Sequence, residues 1–245
     1  MIDTRLVAHR GASAVRPENT ISALKQAHAL GASWVEFDVM LSQDRSPVIF
    51  HDLTLERTTN ATGPVNKRAC AQLQVLDAGS WFDPQFQDET IPTLEQWLDE
   101  VLALGLSINL ELKPAHGDAV ALAHAVNSIL ERPAYRSIRM LISSASTKCL
   151  SAFYCLNPRV NLAYICDYWP FAYWHILLKR LPTLYSLHIE YHALNPARVA
   201  KAHAKGLCVL AYTIESVACA QSLLAMGVDA LFVNDIAAMQ EIWKP

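Results

Sequence analysis

The sequence predicts an α/β protein built as a (β/α)8 TIM barrel, on three observations. Its 245 residues match the roughly 250 that eight strand–helix units occupy. Short apolar runs alternate with amphipathic helical patterns along nearly the whole chain, the order that a parallel sheet covered by helices requires. Polar residues recur at the ends of those runs from one end of the chain to the other. A barrel places its strand ends around one site, whereas a doubly wound sheet gathers polar residues at one switch point.

The strand candidates are 6–9, 34–39, 48–51, 107–112, 139–143, 161–165, 185–189, 207–212 and 230–233. Several are apolar almost throughout, as strands covered on both faces should be. They number one more than a barrel uses; the pattern leaves open which lies outside, or whether two form a local hairpin. The helix ends are marked. Asn19 or Thr20 caps a helix stopping at Gly31. Thr93 and Gln96 form a capping box for a helix stopping at Gly105. Asn195-Pro196 supplies a cap and a first-turn proline for a helix stopping at Gly206, and Ser216 caps one stopping at Gly227. Each of these glycines takes the position just after a helix.

Residues 53–91 break the rhythm. They are rich in Thr, Asn, Asp, Gly and aromatics, with one helix near 67–76. They are predicted to be a substrate-covering insertion after the third strand, within a single domain spanning 1–245.

Hydrophobic residues make up 52% of the chain and charged residues 18%, ample for a large core. The net charge of −3 argues against a nucleic-acid partner. It leaves room for an anionic substrate, because a metal ion can supply positive charge locally. No run reaches the about 18 apolar residues of a transmembrane segment. Residues 1–7 lack the basic and apolar regions of a signal peptide, so a cytoplasmic protein is expected. Cys70, Cys149, Cys155, Cys166, Cys208 and Cys219 include no CxxC pair and are expected to be buried small hydrophobes in a reducing compartment. The apolar stretch 168–178 reads as an interior helix or barrel wall. Its alternative is an exposed patch for an acyl chain, a membrane surface or the second subunit of a homo-oligomer.

Two strands carry the chemistry. In Trp34-Val35-Glu36-Phe37-Asp38-Val39, alternation puts Glu36 and Asp38 on one face. Two like charges in an apolar strand repel each other and are costly to bury unpaired. In Asn109-Leu110-Glu111-Leu112-Lys113, Asn109, Glu111 and Lys113 share a face by the same rule. Ion pairs with Lys or Arg at the barrel rim are one solution. The other is a divalent cation, and three converging carboxylates suit Mg²⁺ or Ca²⁺ better than zinc. Lys113 would then limit the negative charge and could hold a phosphate oxygen. Strand one ends in His9-Arg10-Gly11, and the third run in His51-Asp52. Histidines at barrel strand ends stand where active sites form and can act as an acid/base pair. Arg10 offers a fork of donors to a phosphate.

Taken together, these fragments resemble the glycerophosphodiester phosphodiesterase family. The likeness runs through His9-Arg10-Gly11, Pro17-Glu18-Asn19-Thr20, Glu36-Phe37-Asp38-Val39, Val48-Ile49-Phe50-His51-Asp52 and Leu55-Glu56-Arg57-Thr58-Thr59-Asn60. It continues in Asp77-Ala78-Gly79-Ser80-Trp81-Phe82, Ile91-Pro92-Thr93-Leu94, Glu111-Leu112-Lys113 and Gly227-Val228-Asp229. The resemblance implies a (β/α)8 barrel with an insertion after His51-Asp52. It implies Glu36, Asp38 and Glu111 as ligands of Mg²⁺ or Ca²⁺, and His9 and His51 as the acid/base pair. Arg10 and Lys113 would bind the phosphate, with Glu18 and Asn19 positioning the first loop. The implied reaction cleaves glycerophosphodiesters to sn-glycerol 3-phosphate and an alcohol. By analogy with related phospholipases, the glycerol 2-hydroxyl attacks first and gives a cyclic phosphate. The C-terminal third departs from the family pattern. Ser143-Ser144 is followed by Ala145 rather than Phe, strand eight reads Tyr212-Thr213-Ile214-Glu215, and Val233-Asn234-Asp235 lacks the usual threonine. These changes fall on the alcohol pocket. Two other functions are weighed beside the first: lysophospholipase D-type cleavage of lysophospholipids, and a silent phosphodiester-binding module.

Overall fold

The computed structural model describes residues 2–169 and 174–243. Among the described residues the strands are, in chain order, β1 (Leu6–His9), β2 (Trp34–Leu41), β3 (Pro47–Ile49), β4 (Ser107–Leu112), β5 (Met140–Ser144), β6 (Asn161–Cys166), β7 (Leu184–Glu190), β8 (Cys208–Ile214) and β9 (Ala230–Val233). All but β3 pair in parallel, in the order β1-β9-β8-β7-β6-β5-β4-β2, and β2 returns to β1 to close a TIM barrel. Closure leaves no barrel strand with an open edge.

The surplus run is β3. It pairs antiparallel with β2 through Val39↔Ile49, Met40↔Val48 and Leu41↔Pro47. β2 has 8 residues and its neighbour β4 has 6, so the end of β2 projects past the rim. Its backbone groups there still need partners, and the chain turns straight back to supply them. Two expectations change as a result. The third run stops at Ile49 rather than residue 51, and His51 does not end a barrel strand. It follows a hairpin that extends one.

Helices follow every barrel strand: α1 (Ile21–Ala29), α3 (Leu94–Leu104), α4 (Ala119–Leu130), α5 (Thr147–Leu156), α6 (Trp174–Arg180), α7 (Pro196–His203), α8 (Val217–Ala225) and α9 (Gln240–Trp243), with α2 (Cys70–Leu73) in the inserted segment. The caps come from the expected residues. Thr20 caps α1 by accepting from the Ala23 amide, Thr93 and Gln96 form the box on α3, and Asn195 and Ser216 cap α7 and α8. Asn19 is no cap, because its side chain is turned to Asp38. The helix expected over 67–76 is the four-residue α2, whose first amide, Cys70 N, is satisfied by Asp44 Oδ1 at 2.9 Å.

Three apolar clusters divide the work. The outward faces of the strands, such as Val35, Phe37, Ile108 and Leu110, pack under the helices against Trp97 and Leu98. Val7, Trp34, Leu141, Ala163, Leu210, Ala230 and Phe232 form a second cluster from the alternate, inward positions of the strands. The inserted segment packs Leu55, Val65, Leu73 and Ile91 on Met40, Val48 and Phe50 of the hairpin, a small core of its own.

Cys70, Cys149 and Cys166 are buried as expected, but Cys155 is exposed, and none of the six is in a disulfide. Of the 168–178 stretch, 170–173 lie outside the described residues. Around them Trp169 and Leu177 are buried, while Tyr168 and Ile176 are exposed. No helix among the described residues is long and apolar enough to cross a membrane.

The loop after β1 makes a close backbone approach at Gly11, whose φ is +82° and where an added Cβ would lie 2.7 Å from the Ala23 carbonyl carbon. Gly11→Ala is therefore expected to cost about 2 kcal/mol or more of stability. Denaturant unfolding measures it, and an unchanged midpoint would contradict the close packing of this loop on α1.

Candidate active site

Strand register assembles the acidic group. His9 lies beside Glu36, Glu36 beside Asn109, and Asp38 beside Glu111. Because the inward positions alternate, His9, Glu36 and Asn109 form one layer inside the barrel. Asp38 and Glu111 form the next layer toward the rim. Carboxylate oxygens of Glu36, Asp38 and Glu111 all lie within 4.8 Å of one another.

The loop after β1 closes over this group. Arg10 takes the left-handed φ of +56° and Gly11 follows at +82°. This turn aims the Arg10 amide at Glu36 Oε2 (3.0 Å) and its Nε at Asp38 Oδ2 (3.3 Å). Asn19, also left-handed at +59°, clasps Asp38. Its Nδ2 donates to Asp38 Oδ2 (2.9 Å) and its Oδ1 accepts from the Asp38 amide (3.3 Å). From β4, Lys113 Nζ reaches Glu111 Oε1 (3.2 Å) and stands 3.7 Å from Asp38 Oδ1.

Both sequence alternatives for these acids are thus partly met. Arg10 and Lys113 do pair with them, but two cations face three carboxylates. Burial, with Asp38 adjacent, pushes Glu36 well above the usual carboxyl range and Glu111 up to about 7. Burial also pushes Asp38 up, but Arg10 and Lys113 outweigh it and hold Asp38 ionised. Glu36 Oε1 and Asp38 Oδ1 are buried without a hydrogen-bond partner. Unsatisfied buried carboxylate oxygens and shared excess charge fit a hard divalent cation with oxygen ligands. Glu36, Asp38 and Glu111 are the residues that could hold it.

His9 and His51 face this group from two sides. The His9 Nδ1–H donates to Asn234 Oδ1 (2.7 Å), which also accepts from Ser13 Oγ (3.0 Å). That leaves His9 Nε2 3.8 Å from Glu36 Oε2. Burial, with Arg10 nearby, takes the His9 imidazole down to about 4. His51 Nδ1 lies 2.5 Å from Asp52 Oδ1, and burial lowers its ring below the ordinary imidazole range. Both rings are neutral at pH 7, with Nδ1 engaged and Nε2 left for a substrate. One cavity of about 410 Å³ is lined by His9, Arg10, Glu36, His51, Glu111 and Lys113 on one wall, and by Ile165, Asp167, His188, Tyr212 and Phe232 on the other. Every residue proposed for the site from sequence except Asp38 lines it, and Asp38 is buried just behind.

Several residues of the site lie outside the set predicted from sequence. Asn234, which fixes the His9 ring, was noted only as a departure from a motif. Its signal is a polar side chain directly after the last strand. Asp167 accepts from the Tyr212 hydroxyl at 2.8 Å across the mouth of the cavity, a pairing no local pattern announces. His188 is fully buried with Nε2 3.2 Å from Ser186 Oγ, and burial drives it down to about 3. His192 is exposed and pairs with Glu190.

Residues 9–238 match the Glycerophosphoryl diester phosphodiesterase family. The chain belongs to that family. The matched span covers nearly the whole barrel. The Bacillus subtilis protein YhdW is 34% identical over 94% of this chain and 93% of its own length. A glycerophosphodiester phosphodiesterase of Bacillus altitudinis is 30% identical over 94% of each. Among solved structures, an Oleispira antarctica phosphodiesterase in complex with the product sn-glycerol 3-phosphate superposes with a TM-score of 0.93. It shares 37% identity and covers 97% of this chain and 95% of its own.

The charge balance makes cation binding depend on protons. A carboxyl raised to about 7 binds a proton that the cation must displace. Affinity for Ca²⁺ or Mg²⁺ is expected to rise with pH between about 6 and 8, with protons released on binding. Calorimetry in buffers of different ionisation enthalpy measures both. At a hundred times Kd the cation should add about 2.7 kcal/mol of stability, an increment that Asp38→Asn removes. Binding that ignores pH would argue against this ligand set.

Proposed function

We propose that the chain hydrolyses glycerophosphodiesters to sn-glycerol 3-phosphate and an alcohol, with a divalent cation held by Glu36, Asp38 and Glu111. The observation that carries this reading is the single cavity in which two neutral histidines, two cations and the acidic group meet. Family membership and the product-bound relative support it.

In this reading Arg10 and Lys113 hold the phosphate oxygens and offset their charge. Both side chains already lie within reach of Asp38 or Glu111, so the phosphate docks where the charges converge. A cation held by Glu36, Asp38 and Glu111 would supply Lewis-acid stabilisation and would lower the pKa of the attacking hydroxyl. One imidazole Nε2 takes the proton of that hydroxyl as its oxygen bonds to phosphorus. The other histidine takes up a proton from solvent and passes it to the departing alkoxide as the phosphorus–oxygen bond breaks. With the glycerol 2-hydroxyl as nucleophile, the product of this step is a cyclic phosphate that water then opens. Asn234 and Asp52 hold the two rings with Nδ1 occupied, so Nε2 is the working nitrogen on both. The inserted segment, residues 53–91, follows directly on His51 and Asp52, and none of its residues is among those that line the cavity.

A lysophospholipase D-type activity has one feature in its favour. A groove of about 600 Å³ shares Asp167 with the catalytic cavity and is lined by Tyr168 and Trp169. Release of choline from lysophosphatidylcholine in preference to glycerophosphocholine would select that reading.

A coupled assay for sn-glycerol 3-phosphate, with glycerophosphocholine or glycerophosphoethanolamine and with or without a chelator, tests the first. Release is expected only with metal present. No release from any headgroup diester in the presence of metal would refute it. His9→Ala and His51→Ala should each lower turnover by about 10²–10⁴-fold with the fold intact. A variant that keeps parental turnover has lost its assigned role.

A further inference from the structure

Arg57 belongs to the inserted segment, outside the cavity lining and outside the acidic group. Its guanidinium forks twice. Nε donates to Asp52 Oδ2 (2.6 Å) and Nη2 to Asp52 Oδ1 (3.0 Å). Toward the other loop, Nη1 donates to Glu18 Oε2 (2.7 Å) and Nη2 to Glu18 Oε1 (2.8 Å). Both carboxylates are engaged bidentately by one planar group.

Those carboxylates do not end the chain of contacts. Asp52 Oδ1 also meets His51 Nδ1 at 2.5 Å, and Glu18 Oε1 also accepts from Arg10 Nη1 at 2.8 Å. The result is one connected row, Arg10–Glu18–Arg57–Asp52–His51. It bridges the loop that follows His9 at the end of β1 and the segment after β3 that carries His51. Without Arg57, Glu18 and Asp52 are like charges facing each other across that gap.

The bland reading is a surface ion pair that fixes little. Single exposed pairs contribute at most about 1 kcal/mol, and the Arg57 side chain is 43% exposed. Two features separate this case from that one. The geometry is bidentate on both sides, which fixes orientation as well as distance. Its far end is also a ring that lines the catalytic cavity. His51 has no strand of its own to hold it, since β3 ends at Ile49. Phe50 anchors the backbone by donating its amide to Asp38 O (3.0 Å) and packing in the insertion's core. The ring orientation is left to Asp52, and the orientation of Asp52 to Arg57. Leu55, fully buried two residues before Arg57, seats that stretch of chain.

We infer that Arg57 is a positioning residue: clamped on Glu18, it orients the Asp52 carboxylate and through it the His51 ring. This rests on the reading of His51 as an acid/base group. A misplacement of about 1 Å at a reacting group costs on the order of 10²-fold. Arg57→Met, which keeps the aliphatic stem, is therefore expected to lower kcat about 10–100-fold with a smaller change in KM. Arg57→Lys should not restore it, because one ammonium cannot fork to two carboxylates.

The deciding measurement is a double-mutant cycle. If Arg57 acts only through His51, the pair His51→Ala/Arg57→Met should show the same kcat as His51→Ala alone, since no ring remains to be oriented. Additive losses in the double variant would overturn the inference and assign Arg57 a general structural role. Thermal unfolding is measured alongside, and if Arg57→Met fails to fold, Arg57→Lys is carried through the same cycle. Parental kcat in the Arg57 variant beside an impaired His51→Ala overturns the role of Arg57 alone. Parental kcat in His51→Ala overturns the acid/base reading, and this inference with it.

Discussion

Asp38 carries a negative charge in a place that water scarcely reaches. It is 1% exposed, and burying an ionised carboxylate without partners is prohibitive. Much of the local architecture answers that one requirement. Arg10 must stand beside it, so the chain leaves β1 through a left-handed turn that Gly11 completes. Asn19 must clasp both its carboxylate and its amide, so it too adopts the left-handed conformation and gives up the helix cap to Thr20. Lys113 must lie on its other side, which fixes the end of β4. The same partners leave Glu36 and Glu111 short of compensation, and that shortage makes the site receptive to a cation.

The parts of this arrangement set by short-range periodicity were legible in the sequence. Alternation along β2 and β4 placed Glu36 with Asp38, and Asn109 with Glu111 and Lys113. Capping chemistry located the starts of α1, α3, α7 and α8. Parallel register then aligned the two strands within the barrel. His51 was legible as a residue and not as a position. The run that precedes it has the composition of a barrel strand, and only the extra length of β2 turns it into a hairpin. Asn234 meets His9 across 225 positions of sequence, and Arg57 meets Glu18 across 39. Such pairings depend on where the closed barrel brings loops together. The exposed Cys155 was misjudged because a cysteine on the outer face of a helix has the same one-letter signal as one beneath it.

The two histidines solve a common problem by different means. Each must be correctly oriented close to strong charges. His9 sits on the barrel wall, its ring held by an uncharged amide. His51 lies on a connecting segment and is held by a carboxylate, itself pinned by an arginine. A rigid strand allows a weak, neutral partner. A segment beyond the rim needs charged, bidentate contacts to reach similar definition. The asymmetry also gives the pair unequal surroundings, with Asp52 favouring a proton on His51 and no such charge on the Asn234 side of His9.

The hairpin made by β2 and β3 has a further meaning for how this scaffold can change. It delivers His51 from an antiparallel ribbon rooted in the barrel, ahead of the inserted segment rather than within it. The inserted segment packs its apolar residues on that ribbon and exposes turns such as that at Val75, 78% exposed. Loop closure grows only by about 0.6 kcal/mol per doubling of length. Extra residues at such a turn would lengthen the segment while the ribbon keeps the imidazole in place. The inserted segment can therefore change in this chain's descendants with the reactive floor held constant.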